Sequence, residues 1–273
     1  MSSFVPSIFK MIYILFFFIA LLTIIFTLIY SFQEKLIFQN GKKLEKNYQY
    51  QFSNKFEEIF LTTKDEKKIN ALHFKTENPK GVLLFCHGNN GNLTKWGKRI
   101  SYLLKYNYDV FVFDYRNYGK SSGNFNEEKM FTDALLVYKH IKRTVKEDKI
   151  VVYGFSLGGT FATRIAAQNK PKELILEAPF YSFKKAVQYY SILAPTFLLK
   201  YQFKTNRDIV KVTAPITVFH GNKDKITSFK DAKKLLALNR SRQNCFIEIE
   251  NGTHHNSREH NLYKQKLKEI LER

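Results

Sequence analysis

The sequence predicts an α/β fold: a mostly parallel, doubly wound sheet of about eight strands with a small helical cap, preceded by one transmembrane helix. Short runs rich in Val, Ile, Leu and Phe recur along residues 56–273 and alternate with longer amphipathic stretches, which is typical of βα units. One uncharged apolar run lies near the amino terminus, at residues 11–30. The remaining chain, about 240 residues, is long enough for one sizeable core.

The composition is that of a globular protein with an excess of lysine. Hydrophobic residues make up 44% and charged residues 25% of the 273, which excludes a disordered or collagen-like chain. The net charge is +20, and 35 of the 44 basic residues are lysines spread along the whole chain. Because base reading favours arginine, we expect this basic surface to contact membrane lipid and no specific nucleic acid. The two cysteines, Cys86 and Cys245, exclude a disulfide framework.

The amino-terminal run, MIYILFFFIALLTIIFTLIY at residues 11–30, predicts a membrane anchor. A helix of this length spans the ~30 Å hydrocarbon core. The run is longer than the ~7–15 apolar residues of a signal peptide and no small-x-small cleavage site follows it, which favours an uncleaved anchor. Four lysines follow the run and only Lys10 precedes it, so the charge pattern predicts a single-pass protein with a cytoplasmic domain.

Three regions follow from these patterns: an anchor over 1–33, a polar, lysine-rich connector over 34–55, and one α/β domain over 56–273. The predicted strands are Glu57–Thr62, Lys68–Lys75, Gly81–Cys86, Asp109–Phe113, Lys149–Tyr153, Glu173–Glu177, Ile216–Phe219 and Cys245–Ile249. The predicted helices are Trp96–Tyr106, Glu127–Thr144, Gly159–Gln168, Phe229–Leu238 and Asn261–Leu271. In such a sheet the functional site lies at the carboxyl ends of the strands.

A candidate nucleophile follows the fifth strand, in the sequence GFSLGG at residues 154–159. This is a G-x-S-x-G element in its required setting, between a strand and a helix. The glycines indicate a turn in which the chain passes too closely for a Cβ, so that the Ser156 hydroxyl is exposed above the sheet. The nearby helix amino terminus favours developing negative charge.

A serine hydroxyl needs a base, and in this arrangement the histidine follows the last strand. His254 lies there, in NGTHHN at residues 251–256, with His255 as the competing base. His220 stands at the end of the seventh strand and is interpreted as structural. A metal site at the tandem pair is not expected, because no carboxylate or cysteine cluster stands beside it, and we expect no cofactor.

The acid must accept a hydrogen bond from the base and fix its tautomer. Asp224 follows the seventh strand and precedes His254 by 30 residues, so it is the preferred acid. Glu177, at the end of the sixth strand, is the serious alternative. Asp208 and Asp231 are less well placed, in a loop and a helix.

An oxyanion hole requires two backbone N–H donors, one after the nucleophile and one from the loop after the third strand. Leu157 and Asn89 are therefore the predicted donors, with Asn90 as the close alternative to Asn89. His87 is expected to brace this loop. The segment 114–121, with its Asp and Arg, is expected to tie loops together beside the site.

Four blocks of this chain resemble the α/β-hydrolase superfamily and, within it, the membrane-anchored α/β-hydrolase-domain proteins of the Bem type. They are residues 87–92, 114–119, 154–159, and 220–224 together with 252–254. The resemblance spans about residues 55–270 and implies a Ser-His-Asp triad of Ser156, His254 and Asp224. The chain departs from the family pattern at Phe155, where Arg is common, and at His255-Asn256, where Asn-Asp is usual. These departures bear on substrate preference rather than on the triad.

Residues 180–213 interrupt the sheet between the sixth and seventh strands and predict the cap. Within it, residues 181–204 interleave seven aromatic residues with four lysines. Such a cap suits an acyl chain presented from an anionic bilayer, although rings that simply pack the cap onto the domain explain the pattern equally. The sequence therefore predicts a membrane-anchored serine hydrolase for acyl ester or thioester substrates, of the esterase, thioesterase or lipase type. A non-catalytic membrane binding protein of this fold, or a peptidase, is the alternative.

Overall fold

A computed structural model describes residues 5–273, with side chains from residue 9 onward, so residues 1–4 of the predicted anchor lie outside the described residues. The helices are α1 Val5–Ile37, α2 Leu93–Ile100, α3 Glu127–Lys142, α4 Leu157–Gln168, α5 Phe183–Tyr190, α6 Thr205–Asp208, α7 Phe229–Ala237 and α8 Asn261–Glu272. The strands are β1 Phe56–Thr62, β2 Lys68–Phe74, β3 Val82–Cys86, β4 Asp109–Phe113, β5 Ile150–Phe155, β6 Glu173–Glu177, β7 Ile216–Gly221 and β8 Cys245–Ile249.

The eight strands form one sheet in the order β1-β2-β4-β3-β5-β6-β7-β8. β2 pairs antiparallel with both β1 and β4, and the pairings from β4 through β8 are parallel. Each parallel crossover carries the chain back over the sheet, so the carboxyl ends of β3 to β8 meet at one edge. This sheet confirms the predicted mostly parallel architecture.

Both faces of the central sheet are covered, which explains its continuous apolar strands. Alternate side chains of β3 to β7 enter two separate hydrophobic clusters. One cluster contains residues of α3, α4 and α7, and the other contains residues of α2 and α8. The domain is therefore wound on both sides, as the sequence predicts.

The sequence places the elements correctly and misses some of their ends. The helix predicted over Trp96–Tyr106 begins earlier, at Leu93, because the Asn92 side chain caps it by accepting from the backbone N–H of Thr94. Its second half, Ser101–Tyr106, is a 3₁₀ turn. β5 continues two residues beyond its predicted end, since Phe155 still pairs with Glu177.

α1 is the one helix within residues 5–273 that is long and apolar enough to cross a membrane. Its side chains from residue 9 to residue 32 are almost all exposed, so the domain does not bury them. The chain that follows α1 returns to the domain, where Phe38 and Tyr50 are buried in the two clusters. The segment 180–213, called the cap segment below, contains α5 and α6.

Candidate active site

Ser156 lies on a strained turn between β5 and α4. Its φ of 52° is in the left-handed region, which a serine rarely adopts. A Cβ at Gly158 would collide with the carbonyl oxygen of Cys86, and a Cβ at Gly154 would come within 2.7 Å of the Ala162 Cβ. The two glycines therefore let the chain pass close to β3 and α4, and the turn projects the serine above the sheet edge.

His254 joins the serine to a carboxylate. Its Nε2 is 3.0 Å from the Ser156 hydroxyl oxygen, and its Nδ1 is 2.7 Å from Asp224 Oδ2. Because an ionised carboxylate only accepts, Nδ1 carries the proton in this contact and Nε2 is left to accept from the serine. His254 and Asp224 are both nearly buried, at 5% and 4% exposure. The three predicted residues thus meet in one continuous hydrogen-bonded chain.

The loop after β7 favours the ionised form of Asp224. Its Oδ1 accepts from the backbone N–H groups of Ile226 at 2.7 Å and Thr227 at 2.9 Å. Burial opposes ionisation, but the hydrogen bond and charge of His254 and these two backbone donors outweigh it. They hold the pKa of Asp224 below its usual value. A negative charge therefore stands behind the imidazole.

The competing histidines lie elsewhere. His255 is exposed; its ring packs on Phe155 at 6.0 Å, and its backbone carbonyl accepts from Arg99. Burial, followed by the charges of His254 and Arg99, lowers the pKa of His255. His220 is fully buried behind the acid, with Nε2 3.9 Å from Asp224 Oδ2. Of the tandem pair, the structure brings only His254 to the serine.

The alternative acids also have other partners. Glu177 lies beneath the turn: its carboxylate accepts from the Tyr153 hydroxyl at 2.7 Å, and its carbonyl accepts from the Ser156 N–H at 2.9 Å. Burial raises its pKa, so Glu177 is a poorer anion than Asp224. Asp208 pairs with Arg164 at 2.6 Å, and Asp231 lies in the first turn of α7. None of these three contacts His254.

The predicted oxyanion donors belong to two different elements. Leu157 begins α4, and Asn89 lies in the loop after β3. Within the described part of the chain, neither backbone N–H makes a hydrogen bond. The Asn89 side chain is held by Tyr118, whose hydroxyl is 2.8 Å from Oδ1, and by the carbonyl of Ile37. The alternative donor, Asn90, has its carbonyl fixed by the Trp96 indole N–H at 2.9 Å.

The loop is braced from below by buried polar side chains. His87 Nε2 lies 3.3 Å from Asp114 Oδ1, and both residues are fully buried. Arg116 binds Asp133 through two hydrogen bonds, at 2.7 and 2.8 Å, and reaches Asp65 at 3.2 Å. The first contact ties the loops after β3 and β4 together, and the Arg116 contacts tie the loop after β4 to α3 and to the turn between β1 and β2.

Two contacts at the site escape sequence reasoning. The Thr227 hydroxyl donates at 2.8 Å to Asp224 Oδ2, the oxygen that His254 also contacts, and lies 3.3 Å from His254 Nδ1. An Asp followed three residues later by Thr is a turn signal that could have identified it. The chain leaving α1 reaches the loop after β3, residues 87–92, which is called the oxyanion loop below after its predicted role; there the N–H of Gly91 donates to the carbonyl of Gln39 at 2.8 Å. No local sequence pattern predicts a contact between residues so far apart in the chain.

A family model described as alpha/beta hydrolase fold matches residues 81–208, which run from the start of β3 to the end of α6. The chain has the α/β-hydrolase fold. This confirms the predicted fold and the resemblance to membrane-anchored members. Among solved structures, a Pyrococcus furiosus esterase, Pf2001, superimposes on this hydrolase fold with a TM-score of 0.68 at 18% identity, covering 85% of this chain and 98% of the esterase.

Curated relatives extend the likeness beyond the domain. YNL320W of Saccharomyces cerevisiae, described as a membrane protein, is 27% identical over 251 residues, 88% of each chain. Protein bem46 of Schizosaccharomyces pombe is 27% identical over 249 residues, 84% of this chain and 82% of its own. The lysophosphatidylserine lipase ABHD12 of Danio rerio is 27% identical over 191 residues, 60% of this chain and 48% of its own.

Proposed function

We propose that this α/β-hydrolase is a membrane-anchored serine hydrolase that cleaves carboxylic ester or thioester bonds through an acyl-enzyme. Ser156 is the nucleophile, His254 the base and Asp224 the acid that orients it. The observation that carries the proposal is the unbroken contact chain from the Ser156 hydroxyl through both ring nitrogens of His254 to Asp224, at 3.0 and 2.7 Å. That the reaction needs no metal ion or cofactor remains a prediction from the sequence.

In the first half-reaction, the Ser156 oxygen attacks the carbonyl carbon of the substrate while His254 Nε2 takes the hydroxyl proton. The carbonyl oxygen becomes an oxyanion, which the N–H groups of Leu157 and Asn89 stabilise. Two such fixed donors contribute several kcal/mol to lowering the barrier. His254 then gives its proton to the departing alcohol or thiol, and the acyl group remains on Ser156.

In the second half-reaction, a water molecule replaces the leaving group. His254 Nε2 takes a proton from this water, whose oxygen attacks the acyl carbon and forms a second oxyanion at the same donors. Collapse returns the proton to the Ser156 oxygen and releases a carboxylic acid. Asp224 stays ionised throughout and stabilises the imidazolium that forms in each half.

An acyl or lipid-like substrate is favoured by the surroundings of the site. The anchor α1 is long enough to hold the domain at a bilayer, where acyl esters are concentrated. The cap segment joins aromatic side chains to lysines at residues 184, 185, 200 and 204. The name of the relative ABHD12 gives a lysophospholipid as its substrate. We therefore propose a lipid ester or thioester, with the lysine-rich surface facing lipid headgroups.

The test is hydrolysis of p-nitrophenyl esters of increasing acyl length by the purified full chain. We expect turnover of medium or long acyl esters and its loss in Ser156→Ala. Ser101→Ala, which removes a serine hydroxyl far from the turn, is the matched control and should retain activity. Activity restricted to peptides would contradict the ester assignment, and no activity in a folded protein would favour a binding role.

The anchor and its orientation form a separate part of the proposal. Four lysines follow the apolar run of α1 within residues 35–46, and the positive-inside rule then places the domain in the cytoplasm. Protease added outside intact cells should leave the domain uncut. Cleavage of the domain under those conditions would overturn the orientation without touching the chemistry at Ser156.

A further inference from the structure

The cap tip, defined here as residues 190–197, is the most exposed apolar surface of the domain. Outside α1, the four most exposed large apolar side chains in residues 38–273 all lie within it. They are Leu193 at 90%, Ile192 at 88%, Tyr190 at 81% and Phe197 at 73%. Contiguous exposed apolar side chains of this kind mark a surface that contacts a partner or a membrane.

The cap tip packs directly on the apolar part of α1. The rings of Phe197 and Phe26 meet edge to face, with centroids 5.5 Å apart. Phe26 lies inside the stretch between Lys10 and Glu34, which carries no charged residue. At 1.5 Å per residue, Phe26 lies about 10 Å from Gln33 along α1, towards the amino terminus and the middle of the apolar run. Where α1 crosses a bilayer, Phe197 is therefore at the depth of the acyl chains.

Polar contacts immediately beside the tip mark the level of the membrane surface. The Gln33 side chain donates to the carbonyl of Leu198 at 3.1 Å and accepts from the N–H of Lys200 at 2.9 Å. The Tyr201 hydroxyl donates to Glu34 at 2.7 Å. These bonds fix the cap against the last turns of α1, so the tip cannot swing away without breaking them.

The positions of the lysines on the cap segment are consistent with a cap tip at the level of the acyl chains. The ammonium of Lys200 sits 4.6 Å from the Tyr30 ring centroid, at the end of the apolar run. Lys184 and Lys185, in the first turn of α5, are exposed. Lysines beside an apolar tip are suited to contact lipid phosphates while the tip enters the acyl region.

We propose that the cap tip is a second membrane-inserted element, which enters the headgroup and acyl boundary of the same phospholipid bilayer that holds α1. The bilayer is the occupant because the tip is continuous with the apolar surface of α1 and lies at its depth. The inference rests on the anchoring part of the proposed function and does not require catalysis by Ser156.

Insertion of the tip would fix the catalytic edge of the sheet against the membrane. α5 leads directly into the tip, and its Tyr189 hydroxyl donates to the carbonyl of Asp224 at 2.9 Å. On the other side, the exit of α1 at Ile37 and Gln39 contacts Asn89 and Gly91 of the oxyanion loop. Two connections from the bilayer thus end on the acid loop and the oxyanion loop.

The test places a polarity-sensitive fluorophore on single cysteines of the full chain in phosphatidylcholine and phosphatidylglycerol vesicles. Cys245, which is exposed, is first changed to Ser; Cys86 is fully buried and burial raises its thiol pKa, so it does not react. Leu193→Cys and Phe197→Cys report on the tip. Ile24→Cys in α1 is the positive control, and Asp148→Cys, exposed at the opposite edge of the sheet, is the negative control.

We expect nitroxide-labelled acyl chains to quench the labels at residues 24, 193 and 197, whose emission also shifts to the blue, and to leave residue 148 unaffected. If the label at residue 24 is quenched but the label at residue 193 is as accessible to water as the one at residue 148, insertion of the cap tip is wrong and the membrane anchor is still supported. Absence of quenching at 24 would overturn both. Loss of ester hydrolysis with quenching intact would reject only the catalytic proposal.

Discussion

At the scale of single residues, the tandem histidines show how little separates a buried position beside the serine from a position on the surface. His254 is buried between Ser156 and Asp224, whereas His255, one step along the loop, is exposed over Phe155. Because the side chains of adjacent residues in a turn point in different directions, sequence order alone does not decide which of the two histidines contacts the serine. A histidine beside the serine could be predicted from its place after the last strand, whereas only the geometry shows which of the pair contacts Ser156.

The pair gives a matched comparison. We expect His254→Ala to lower kcat by about 10⁴-fold or more, because the serine loses its proton acceptor. His255→Ala should leave kcat near that of the unmodified chain, since the His255 ring packs edge to face on that of His254 but hydrogen bonds to neither Ser156 nor Asp224. Steady-state hydrolysis of one p-nitrophenyl ester by both variants measures the difference, and the reverse ranking would transfer the base to His255.

Thr227 is expected to be a positioning residue for Asp224. Thr227→Val removes the hydroxyl that donates to Oδ2 at 2.8 Å, and a lost hydrogen bond to a charged group predicts about a tenfold fall in kcat with little change in KM. Thr227→Ser keeps the hydroxyl and should restore most of the rate. Equal kcat values in the Val and Ser variants would show that the hydroxyl does not position the acid.

At the scale of elements, the turn between β5 and α4 could be predicted in detail because one motif specifies it. G-x-S-x-G encodes both the close approach at its glycines and the exposure of Ser156, and the structure has both. The start of α2 was missed by three residues, because a side-chain cap at Asn92 decides it. The contact between the oxyanion loop and α1 was missed because it joins residues 52 positions apart.

Alanine substitutions at the two neighbouring glycines of this turn, Gly158 and Gly159, are expected to have opposite effects on stability and activity. Gly158→Ala places a Cβ against the carbonyl of Cys86, so the turn must shift away from β3, at a cost of about 1–3 kcal/mol in the free energy of unfolding and with loss of activity. Gly159→Ala meets nothing closer than 3.5 Å and lies inside α4, where alanine favours the helix by up to ~1 kcal/mol.

Thermal unfolding and ester hydrolysis of the two glycine variants provide the measurement. Gly159→Ala should be at least as stable as the unmodified chain and remain active, which controls for the added methyl group. A Gly158→Ala protein that matched Gly159→Ala in both assays would mean that the turn does not need its close approach to β3.

At the scale of the whole molecule, the fold brings together residues that are distant in sequence, and the end of α1, the proposed membrane anchor, contacts the loop after β3 beside them. Parallel strands all end at one edge, which is why Ser156, Asp224 and His254 could be expected to meet from their order alone. The position of that edge relative to α1 could not be predicted from the sequence, since it depends on packing between the cap segment and the helix. The predicted region boundaries at 33 and 55, and the absence of specific nucleic-acid binding, stay predictions.

Covalent labelling of the purified full chain with a fluorophosphonate probe, followed by peptide mass spectrometry, tests the central claim that these three residues act as one catalytic unit. The account predicts an adduct on Ser156 that is absent in Ser156→Ala and strongly reduced in His254→Ala and Asp224→Asn. A folded chain that takes up no probe, or one that carries it on a different serine, would contradict the account.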